Sequence, residues 1–115
     1  MSLDVSLYIK VDTGGAEKKK IVLFDANITH NLADMADAAG IYKYLWRPEE
    51  IGAKCAGDII EAAEKGLALM KSDPERFKEH NPTNGWGTYD GFIVWVEEYL
   101  GACKDNPKAT IYVSK

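Results

Sequence analysis

Basic residues, cysteines, histidines and long apolar runs are all scarce in this chain, and each scarcity removes a class of function. Against 18 Asp and Glu there are only 14 Lys and Arg, a formal charge of −4. Proteins that grip duplex nucleic acid carry a basic stripe. The one dense basic run here, Lys18-Lys19-Lys20, follows Gly14-Gly15 between two apolar segments, as a solvated hairpin loop would. Duplex nucleic acid is therefore not an expected partner. No window approaches the roughly 18–20 apolar residues that span a bilayer, so no membrane partner is expected. The N-terminus also lacks the basic-then-apolar layout of a secretory signal. The 2 cysteines, Cys55 and Cys103, both fall in stretches that read as helix. A disulfide framework uses more cysteines in a smaller, loop-rich chain. Two reduced thiols and a cytoplasmic location are the expectation.

Known catalytic and metal patterns are missing as well. There is no Gly-rich phosphate loop, no G-x-G-x-x-G, no nucleophile elbow and no H-E-x-x-H. His30 and His80 are the only histidines, and neither has a second ligand at close helical spacing. A zinc site would need ligands recruited from distant parts of the chain. No metal and no cofactor are expected.

What is present specifies a fold. In Leu3 to Val11 the odd positions Leu3, Val5, Leu7, Ile9 and Val11 are apolar and the even ones polar or amphipathic, the period of a strand buried on one face. Ile21-Val22-Leu23-Phe24 reads as its hairpin partner, more apolar and so more central. Ile111 and Val113 alternate with Thr110, Tyr112 and Ser114 in a third strand, and Tyr8 and Tyr112 are placed to stack across the wet face. Between them, Leu32, Met35, Ala36 and Ala39 form one face of a short helix, started by Thr29 or Asn31 and stopped at Gly40. A longer helix is expected to open at Pro48, with Ala56, Ile59, Ile60, Ala63, Leu67 and Met70 as its core stripe. Asp73-Pro74 begins a short turn of helix, and a third substantial helix runs from about Thr88 to Lys104. Residues 1–115 thus form a single α+β domain. It is a two-layer sandwich whose three-stranded antiparallel sheet, a hairpin plus a C-terminal strand, is covered on one face by three main helices.

Two polar runs interrupt this pattern. "DANITHN", Asp25 to Asn31, crowds Asn27, Thr29, His30 and Asn31 where a single capping residue would suffice. "NPTNGWG", Asn81 to Gly87, sets Trp86 between two glycines, and tight-turn chemistry does not require an indole. Folding these turns to one end of the sandwich would make a site from Asn27, Thr29, His30, Asn31, Arg47, Asn84, Trp86 and Tyr89. A binding or protein-interaction module with a small-molecule or protein partner is the leading expectation, and self-association stays open. A small enzyme using His30 as general acid or base is the second reading, since imidazole titrates near neutrality. An assembly protein meeting another subunit through Trp86 is the third.

N-I-T-H-N (Asn27 to Asn31), L-W-R-P-E-E (Leu45 to Glu50) and N-G-W-G-x-Y (Asn84 to Tyr89) resemble a small family of bacterial and bacteriophage genomes. The resemblance covers nearly all the chain after the first hairpin. It implies an intracellular or phage-encoded setting and carries no activity or catalytic residue with it.

Overall fold

The computed structural model describes residues 2–115. Strand β1 (Ser2–Val11) pairs antiparallel with β2 (Lys19–Thr29) on one side and with β3 (Thr110–Ser114) on the other. The order is β2-β1-β3, so β1 is the central strand. This corrects the expectation that Ile21 to Phe24 would be central: apolar content does not make that segment an inner strand, and β2 lies at the edge. Lys19 and Lys20 also belong to β2 and not to the loop, and the strand continues through Asn27 to Thr29.

Among the described residues five α-helices follow the hairpin: α1 (Ala33–Ala38), α2 (Tyr42–Trp46), α3 (Ile60–Ser72), α4 (Pro74–Lys78) and α5 (Tyr89–Asp105). None is long and apolar enough to cross a membrane. Leu3, Val5 and Leu7 point from the central strand into the core and are wholly buried, together with Phe92 and Met70. Ile9, Phe24 and Ile60, read from the sequence as core, are only partly buried at its margin. The opposite face of the sheet stays wet. There Lys20 Nζ lies 4.5 Å over the Tyr8 ring and 5.2 Å over that of Tyr112. An ammonium thus joins the two rings in place of the expected ring-on-ring stacking.

Local signals explain most element ends. Thr29 Oγ1 accepts the Asn31 N–H, and Thr88 Oγ1 accepts the Gly91 N–H at the start of α5. Gly40 adopts φ +77°, and the Ile41 N–H then donates to Ala36 O, ending α1 at the expected glycine. The long helix expected from Pro48 does not form. Pro48–Ile51 is a short 3-10 turn closed by Gly52, and Ala56–Ile59 is a second one leading into α3. Between them Cys55 bridges to Thr110, and Asp58 Oδ2 accepts the Lys54 and Cys55 N–H groups. Those two bonds hold the Asp58 carboxyl below its ordinary range. A backbone tied to the sheet edge cannot also be helical.

Cys55 consequently lies in a connection and not in a helix, half-buried, while Cys103 is fully buried in α5. Both are free thiols. Burial pushes the Cys103 thiol up to about 12, so it remains protonated at neutral pH. Titration with a thiol reagent at pH 8 is expected to label Cys55 in the folded protein and Cys103 only on unfolding. Labelling of both at one rate in the native state would contradict the burial of Cys103.

Candidate functional site

The two polar runs meet at one end of the sandwich. β2 delivers Thr29 to a 3-10 turn, His30–Leu32, which puts His30 and Asn31 at the surface above α1. The 81–88 turn folds against them. Asn31 Nδ2 donates to Asn84 Oδ1 and to Trp86 O, each at 3.4 Å. Asn84 Oδ1 also accepts the Trp86 N–H at 2.9 Å, and Asn81 Oδ1 accepts the Tyr89 N–H at 2.8 Å. Side-chain amides thereby replace the regular ladder that this backbone lacks. Gly85 and Gly87 take φ +78° and +97°, the left-handed region closed to most side chains. At Gly87 the restriction is double, since an added Cβ would stand 2.8 Å from Thr29 Cγ2 and 3.0 Å from Leu32 Cγ.

A groove of about 500 Å³ lies between the two turns, with His30, Asn31, Asp34, His80, Asn81 and Asn84 among its walls. Trp86 stands beyond it, held by its own backbone bonds while its side chain is 71% exposed. An indole in that position loses the burial that normally stabilises it, and no packing role accounts for it.

His30 is fixed from behind. The Trp46 indole N–H donates to His30 Nδ1 at 2.9 Å, so this nitrogen serves as an acceptor in the fold. No carboxylate orients the imidazole from the rear, the arrangement that hydrolytic triads use. Among the described residues no cluster of three or more His, Cys, Asp or Glu side chains is placed to hold a metal ion.

Other residues marked in the sequence go elsewhere. Tyr89 is buried, and its hydroxyl donates to Met70 O at 2.7 Å, so it closes the core and does not wall the groove. Asn27 Nδ2 donates to Ser2 Oγ and Asp4 Oδ1, clasping β2 to β1 on the wet face. Thr29 serves as the cap. Arg47 lines a separate hollow on the far side of His30, with Tyr42, Trp46 and Lys115. Its guanidinium donates to Tyr42 Oη at 3.2 Å and pairs with Glu50 at 3.3 Å; the Tyr42 bond leads in raising its pKa further.

Sequence reasoning missed Asp34, His80 and Asn81 as groove residues. Asp34 lies four positions after His30, one helical turn along; Asn81 opens the quoted turn and His80 directly precedes it, so these signals were available. No protein-family model, curated protein or solved structure matches this chain.

Proposed function

We propose that this chain is a small protein-interaction module that takes an extended peptide segment of a partner at the 27–31 and 81–88 end of the sandwich. The observation that carries the reading is Trp86: a 71% exposed indole on a turn held by Asn31, Asn84 and two left-handed glycines. A rigid aromatic projection beside a polar groove is the form of an interface anchor. It supplies a large apolar area with little conformational freedom left to lose on binding. Asn31, Asn81 and Asn84 then offer amides to a peptide backbone, which presents alternating donors and acceptors of its own. Binding is favoured over turnover because His30 has an indole behind it where a general base has an acidic partner. The free thiols accord with a reducing compartment, so the partner is to be sought inside the cell.

Selection of a random displayed-peptide library on the wild-type protein, followed by titration of the selected peptides, tests this reading. Trp86→Ala is expected to weaken their binding by about 30-fold or more, the loss typical of an interface anchor. Its melting temperature should stay within a few degrees of wild type, since Trp86 is 71% exposed and gives the core little burial. Retained affinity would remove Trp86 from the interface, and loss of the fold would make the indole structural.

A further inference from the structure

Away from the groove, the outer edge of β2 carries its own signal. Between Lys20 and Asp25 run Ile21, Val22, Leu23 and Phe24, and the first three are 42%, 49% and 40% exposed. β2 pairs only with β1, so its other side offers a row of unpaired N–H and C=O groups to any strand that can fit. Only near Thr29, where Gly87 approaches, does the 81–88 turn close this edge. We propose that the segment Lys20 to Asp25 pairs antiparallel with the same segment of a second copy, about a two-fold axis between Val22 and Leu23.

The charge pattern points to that occupant. The segment reads basic, four apolar, acidic. Antiparallel self-pairing about its centre sets Lys20 of each copy opposite Asp25 of the other, and Ile21 opposite Phe24. Opposite charges across a ladder attract, and the two-fold repeats the pair. A parallel or shifted pairing loses both ion pairs.

The faces agree only because of an irregularity in this strand. Successive strand residues face opposite ways, so an unbroken β2 could not bring positions 20 and 25 to one face. The β1–β2 ladder shifts register here: Leu7 stands opposite Phe24 and Tyr8 opposite Val22, leaving Leu23 as an extra residue. Ile21, opposite Ile9, and Phe24, opposite Leu7, therefore share the core side. Lys20, opposite Lys10, and Asp25, opposite Ser6, share the wet side. The bulge that looks like a defect within one copy is what makes the self-complementary register consistent in two.

Coverage of the core side points the same way. Phe24 is backed by α5 through its stack with Tyr99, ring centres 6.0 Å apart, whereas Ile21 has solvent beside it. Antiparallel pairing exchanges the two ends, placing the uncovered Ile21 of each copy beside the helix-backed Phe24 of the other. The groove residues lie outside this edge, so dimer and peptide site are independent.

Sedimentation equilibrium of the full chain in reductant, from low micromolar to near-millimolar, is the test. A dimer is expected. Asp25→Lys and Lys20→Glu should each weaken it about tenfold or more, because each turns two attractions into two repulsions. The double variant should return to within about threefold of wild type, since the ion pairs are re-formed with reversed polarity. Should Lys20→Glu fail to fold, because Lys20 rests on Tyr8 and Tyr112, Leu23→Lys and Asp25→Lys at exposed positions must each still separate the copies. A wild-type chain that is monomeric throughout would overturn the proposal; the lysines and the bulge would then be devices that keep the edge solitary. A dimer indifferent to Asp25→Lys, or a double variant that does not recover, would also overturn it.

Discussion

Phe92→Ala is expected to destabilise the protein by about 3–5 kcal/mol, the cost of removing a ring from a core that cannot collapse around the void. Phe92 is fully buried on α5, with the Trp95 ring centre 6.4 Å away and its plane nearly parallel. It belongs to one core cluster with Leu3, Val5 and Leu7 of the central strand and Met70 of α3, side chains held on separate elements. Rigid walls of this kind keep a cavity open, so both the transfer loss and the cavity cost apply. Domains of this size are stable by only about 5–15 kcal/mol, so the variant should melt on the order of 10–20 °C lower. Val94→Ala on the same helix is the internal control. Val94 is 54% exposed, and its truncation should cost no more than about 0.5 kcal/mol. Equal losses at the two positions would mean that α5 presents a different face to the sheet. Chemical denaturation with matched slopes would measure both.

Gly87→Ala carries the second-largest expected effect, about 2–4 kcal/mol, from two costs that act together. The backbone at φ +97° penalises any L side chain, and the new methyl would press on Thr29 Cγ2 and Leu32. Leu32 is nearly wholly buried, and Thr29 caps the turn that carries His30, so neither can retreat freely. Gly85→Ala separates the two costs. It has a similar positive φ of +78° but nothing within 4 Å of the added methyl, so only the backbone penalty of about 1–2 kcal/mol applies there. If Gly85→Ala proves the costlier change, the contact of Gly87 with the first polar turn is not what fixes the 81–88 segment. Hydrogen exchange at the Asn31 and Trp86 amides would report that contact directly, and both should exchange faster in Gly87→Ala.

The two glycines show how far the sequence could be read. Flanking Trp86 with glycine identified a tight turn, and the amide-rich stretch around it identified the segment as one to watch. Its meeting with the first polar turn was expected, because both runs end in helix starts over one small sheet; the particular bonds from Asn31, 55 residues before Trp86, leave no local pattern. Tyr89 was misplaced for the same reason. It stands next to the groove in sequence, but the first turn of α5 rotates it inward onto Met70. Trp46, beside Arg47 in the L-W-R-P-E-E run, is 1% exposed and supports His30 from within, a role that no local pattern marks.

By itself the sequence determined the pieces governed by short-range periodicity and capping. These are the half-buried alternation of Leu3 to Val11, the alternating third strand, the extent of α5, the stop at Gly40 and the cap at Thr29. Such signals arise within one or two turns of chain, where covalent geometry already limits which faces a residue can show. Only the tertiary structure decided which strand is central, because that depends on the return of Thr110–Ser114 to pair with β1. It also decided that Ile21, Val22 and Leu23 would lie on an open edge. Local apolar content measures how much a segment gains from burial, and only the packing of distant elements settles whether the burial is supplied within one copy.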